Sequence, residues 1–100
     1  MPKPKDVIIA EIESYIVRFG GAFREWYVGF ACDPEQALYV KHGLRKGDPG
    51  VLRTAHTDVQ AADIVRYFVS RRRTMGEAQG TPENGKVHVY AYKLQDHTKP

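Results

Sequence analysis

The sequence predicts a small α+β domain: a three-stranded sheet flanked by helices, in the order α-β-α-β-α-β. Three observations carry this. Two runs, Trp26 to Ala31 and Lys86 to Leu94, are rich in aromatic and β-branched residues and alternate with the period of a strand. Two other runs repeat apolar residues at spacings of three and four, the signature of a helix with one buried face. Between them stand helix caps and Gly/Pro turns, which mark where each element starts and stops.

Residues 1–5 read as a loose tail with two prolines and two lysines. From Asp6, a plausible helix cap, Ile8, Ile12, Tyr15, Ile16 and Phe19 form one apolar stripe, and Gly20-Gly21 stops it. In the strand from Trp26 to Ala31, Trp26, Val28 and Phe30 face one way and Tyr27, Gly29 and Ala31 the other. Gly29 has no side chain, so another group can approach that face closely. Asp33-Pro34-Glu35-Gln36 then has the cap, first-turn proline and capping-box glutamine of a helix that should reach about His42. Arg45 to Gly50 is a polar turn, and Val51 to Ala55 a short strand. Thr57 and Gln60 form a second capping box. They open a helix with Ala61, Ile64, Val65, Phe68 and Val69 on one side, closed by Arg71-Arg72-Arg73. Residues 74–85 form a Gly- and Pro-containing loop, and residues 96–100 a second tail. The domain therefore spans 6–95.

One hundred residues suit one domain with a single modest core. The formal net charge of +3 permits an anionic partner without demanding one. The single cysteine, Cys32, excludes an intramolecular disulfide. No signal-peptide pattern and no apolar run near the ~20 residues of a membrane span is present, so a cytoplasmic protein with no membrane contact is expected.

With the elements placed, Tyr27-Val28-Gly29, Asp33-Pro34-Glu35, Leu38-Tyr39 and His42 resemble the second strand and first helix of the GIY-YIG nuclease superfamily. The stretch 26–94 is more broadly similar to small bacterial proteins sharing that motif. The matching pieces are Trp26 to His42, Val51 to Ala55, Ala61 to Phe68, Gly76 to Gly85 and Val87 to Lys93. In the superfamily a "GIY" strand precedes the "YIG" strand. Here a helix precedes it, and Val89-Tyr90-Ala91-Tyr92 would fill the missing strand from the C-terminal side, as in a circular permutation. The resemblance implies a pocket lined by Tyr27, Gly29, His42, Tyr90 and Tyr92. It also implies a helix arginine to steady a phosphate and a glutamate to hold a divalent metal, and laid without gaps those positions are Ala37 and Val65. Neither can stabilise charge or hold a metal. Asp63 lies about 200° around the helix from Val65, and Gln36 is uncharged and about 100° from Ala37.

The commoner reading of the three tyrosines is half-buried sheet residues, and of a lone histidine near a helix end a cap or surface residue. No histidine or cysteine spacing suits a transition metal, and no phosphate-cradling glycine loop is present, so no metal or cofactor is expected. Arg71, Arg72 and Arg73, helped by Lys41 and Arg45, are the candidates for contacts to nucleic acid; a solvated helix end is their plainer reading. The expected function is a non-catalytic binding module, with nucleic acid the leading partner. A protein-interaction or oligomerisation module and a divergent metal-dependent nuclease are the alternatives.

Overall fold

In the computed structural model, which describes residues 2–76 and 82–100, helix α1 spans Lys5–Phe19 and buries Ile8, Ile12 and Ile16 along the stripe read from the sequence. Its start differs from the expectation. Pro4, held extended, is the cap residue, its carbonyl accepts the Ile8 N–H (3.1 Å), and Asp6 sits in the first turn, where its charge favours the helix dipole. Gly20 ends the helix at φ 84°, donating its N–H to Ile16. Residues 2–5, expected as a loose tail, are pinned. Lys3 bridges Ala55, its N–H bonds the Thr54 carbonyl, and its ammonium and the Arg53 guanidinium both hold Glu11.

The sheet has four strands, one more than expected: β1 Trp26–Ala31, β2 Gly50–Thr54, β3 Met75–Gly76 and β4 His88–Lys93, in the order β2-β4-β1-β3. β4 runs antiparallel to both of its neighbours, with Gly29 opposite Tyr90 and Tyr27 opposite Tyr92. β3 pairs parallel to β1 through Tyr27↔Met75 and Val28↔Gly76. Two residues are too short to show a strand period, which is why the sequence left them in a loop. The middle of that loop, 77–81, lies outside the described residues. The outer edge of β2 is closed. Tyr15 accepts the Gly50 N–H (2.9 Å), Arg53 donates to the Leu52 carbonyl (2.7 Å) and Lys3 donates to the Thr54 carbonyl (2.9 Å), so little free backbone remains there to recruit another strand.

Helix α2, Asp58–Tyr67, is capped as expected by Thr57, whose hydroxyl accepts the Gln60 N–H. It packs with α1 on one face of the sheet. Trp26, Val28, Phe30, Val89 and Ala91 meet Ile12, Ile64, Val65 and Phe68 there in the main core. The other face carries a second cluster: Tyr27, Tyr90 and Tyr92 under Ala37, Leu38 and Leu44. The helix expected from Asp33 lies over that face, but its Gln36–Lys41 stretch is π-helical. The wider turn is visible in the His42 N–H, which bonds Ala37 rather than Leu38. Asp33 caps it as expected through the Gln36 N–H. Among the described residues no helix is long and apolar enough to cross a membrane.

α2 continues as a π turn over Phe68–Arg72 and ends at Arg73 with φ 62°. Its three arginines are not equivalent. All three are exposed, but Arg72 donates to Glu13 (2.7 Å), beside the Tyr67 hydroxyl on the same carboxylate, and stacks over the Phe23 ring. Arg72→Ala should therefore lower the melting temperature by a few degrees, because it removes the tie between the end of α2 and α1. Arg71→Ala should leave it unchanged. A thermal melt of the two variants checks this, and equal melting points would deny Arg72 its structural role.

Candidate binding site

The five residues that the resemblance implies as a pocket lie together on the second face. His42 is the C-cap residue of the π-helical segment, as a histidine near a helix end is expected to be, but at 1% exposed it is not a surface residue. Its Nε2 lies 2.9 Å from the Tyr90 hydroxyl, and its Nδ1 lies 2.6 Å from the Lys99 carbonyl and 2.9 Å from the Tyr92 hydroxyl. A carbonyl only accepts, so the Nδ1 carries the proton; in the neutral ring, Nε2 then accepts from Tyr90. Tyr27 stacks on Tyr92 with ring centres 5.3 Å apart and leans on His42 at 4.6 Å. Burial, with Tyr27 beside it, pushes the Tyr92 hydroxyl well above its usual pKa, so it stays protonated. Gly29 makes room for Tyr90: a Cβ there would lie 2.5 Å from the Tyr90 hydroxyl oxygen.

The last residues, expected as a tail, close this cluster on one side. Lys99 donates its N–H to the His42 carbonyl (2.7 Å), Thr98 is buried, and His97 bonds the Asp48 carboxylate. That bond and the Arg45 N–H hold the Asp48 carboxyl below its ordinary value of 3.8. A carboxyl lowered on folding stabilises above its unfolded pKa and loses that effect as pH falls through the folded one. The stability difference between wild type and Asp48→Asn should thus shrink as pH falls below about 4. Urea melts at pH 5 and pH 3 measure it, and a difference that grows between them would contradict the assignment.

Beside the cluster lies a cleft of about 410 Å³ lined by Phe30, Cys32, Asp33, Gln36, Ala37, Val40, Lys41, Glu83, Lys86 and Tyr90. Its place follows from the local folding. The end of β1 gives Phe30 and Ala31, the π-helical segment turns Ala37 inward and leaves Val40 and Lys41 at the rim, and the approach to β4 brings Lys86 over the Phe30 ring (4.6 Å). Two cations and two carboxylates share the lining, and one carboxylate, Asp33, is engaged as a cap. The sequence places Lys86 only at the start of a strand, and no pattern joins it to Lys41, 45 positions away.

The basic candidates divide between the two sides of the sheet. Lys41 borders the cleft and Arg45 follows it in the next turn, donating its N–H to Asp48, whereas Arg71, Arg72 and Arg73 end α2 on the main-core side. Ala37 and Val65 also separate: Ala37 roofs the tyrosine cluster and Val65 is buried in the main core. Asp63 pairs with Lys5 and Arg66, as a solvated helix carboxylate does. Among the described residues no three His, Cys, Asp or Glu side chains are grouped to hold a metal ion.

The fold and site define an α+β domain with a tyrosine–histidine cluster beside a cleft lined by two lysines and two carboxylates. No family model, curated protein or solved structure matches the chain.

Proposed function

We propose that the domain is a non-catalytic nucleic-acid-binding module on a GIY-YIG-like, circularly permuted scaffold. The observation that carries this reading is the cleft at the end of β1, where Lys41 and Lys86 flank apolar walls beside Glu83 and the helix-capping Asp33. Its volume falls within the range of about 300–1,000 Å³ typical of ligand sites. Lysine ammonium groups suit phosphate, and the Phe30, Ala31, Ala37 and Val40 walls suit a sugar or base. The scaffold reading draws support from the antiparallel pairing of β4 with β1, which sets Tyr90 and Tyr92 beside Tyr27 as a permuted "GIY" strand would be. Alanine and valine at the arginine and glutamate positions favour binding without cleavage.

Fluorescence anisotropy with labelled single- and double-stranded DNA at two salt concentrations tests the function. Binding that weakens steeply with salt is the expected result. Salt-insensitive binding to a protein partner, with none to DNA, would replace it by a protein-interaction module. Plasmid incubated with the protein and magnesium or manganese should stay uncut above background. Cutting that tracks the protein through purification would instead make it a divergent nuclease.

A further inference from the structure

The contact between residues 95–99 and His42 has the chemistry of peptide recognition. Lys99 offers one main-chain N–H and one C=O, and His42 answers with its own carbonyl and its Nδ1–H at 2.7 and 2.6 Å. One residue read through both main-chain groups is how a strand partner or docked peptide is held. The segment before it is already folded on itself. Thr98 donates its hydroxyl to the Gln95 carbonyl and accepts the Gln95 N–H, both at 2.9 Å, and its own N–H also bonds that carbonyl. Gly43, at φ 73°, lets the segment come close: a Cβ there would lie 3.1 Å from the His97 carbonyl. Among the described residues, the hydrogen bonds tying Gln95–Lys99 to the rest of the chain are the pair at His42 and the His97–Asp48 bond.

We propose that the groove over His42 is a docking site for a short peptide, and that Gln95–Lys99 is its resident, displaceable occupant. The peptide that fits presents a Gln-x-His-Thr turn followed by one extended residue. The turn buries its threonine, and the imidazole two positions before the docked residue reaches Asp48. A peptide from another chain must outcompete a tethered tail whose effective concentration is of millimolar order. The site is built to be filled from within until the tail is drawn away.

The test uses the 100-residue chain carrying Lys99→Pro, which has no N–H for the His42 carbonyl. The probe is a synthetic peptide of residues 95–100, followed by NMR. Saturable shifts at His42, Gly43 and Asp48 are expected in the variant. Wild type should need at least tenfold more peptide, and a probe with alanine for histidine should bind more weakly. In wild type, the Lys99 amide should exchange at least a hundredfold faster than that of Ala91 in β4. Absence of saturable shifts at millimolar peptide overturns the proposal. So does a Lys99 amide as protected as Ala91, or a Lys99→Pro chain that no longer folds, since either makes the tail an inseparable part of the core.

Discussion

Gly29→Ala destabilises the domain by about 2–4 kcal/mol. A methyl at this position would lie 2.5 Å from the Tyr90 hydroxyl oxygen and 2.7 Å from the ring carbon that bears it. Tyr90 cannot step aside cheaply, because it is 1% exposed at the centre of the sheet, between β1 and β2. Overpacking a core costs about 1–3 kcal/mol, and moving Tyr90 off His42 adds the cost of a broken buried hydrogen bond, about 1–3 kcal/mol. The two costs overlap, since one displacement of the ring causes both. Tyr90→Phe alone removes the donor to Nε2 and should cost about 1–2 kcal/mol. In Gly29→Ala/Tyr90→Phe the closest clash is gone, so the double variant should be at least 1 kcal/mol more stable than the two losses added together. Urea denaturation of the four chains supplies the cycle. A Gly29→Ala chain within 0.5 kcal/mol of wild type would mean that the tyrosine face is loosely packed, and the geometry of the cluster would lose its support.

The elements with a repeating pattern were legible in the sequence. α1 and α2 each bury one face, so burial imposes a period that composition displays; β1 and β4 are buried on both faces, and their alternation sorts side chains between the two clusters. Ile8, Ile12 and Ile16 are all buried as read, and β1 has the bounds expected of it. What the sequence did not show depends on contacts between distant residues or on departures from regular geometry. β3 has two residues and no period of its own. The π-helical turn over Gln36–Lys41 shifts the hydrogen bond of His42 by one residue and helps carry that side chain inward, where a regular helix ending at His42 suggested solvent. The partners of His42 come from β4 and from Lys99, 57 residues away, and no local pattern points to them. Gly29 is the exception: a glycine inside an aromatic strand signalled a close approach, and the approaching group is the Tyr90 hydroxyl.

Lys41→Ala/Lys86→Ala should cut DNA affinity by about two-hundredfold at 50 mM salt and about twentyfold at 200 mM, if each lysine contacts one duplex phosphate. The figures follow from counterion release. Each contact contributes roughly 0.9 to the slope of log K against log salt, so losing two lowers it by about 1.8, and the deficit fades towards 1 M salt. On a single strand the slope should fall by about 1.4. Phosphate contacts carry no sequence information, so the loss should be the same for every oligonucleotide of a given length. Lys86 lies over the Phe30 ring at 4.6 Å, so the double variant also loses a cation–π contact, and a thermal melt of each variant accompanies the titrations. The comparison that locates the site is Arg71→Ala/Arg73→Ala, which leaves Arg72 and its tie to Glu13 in place. These arginines end α2 on the other side of the sheet, so a duplex seated in the cleft should not feel their loss as it feels that of the lysines. If the arginine pair flattens the salt slope and the lysine pair does not, the nucleic acid lies along the end of α2 and the cleft has another ligand. If neither pair changes a measurable slope, the binding is not carried by these cations and the electrostatic reading of both surfaces fails.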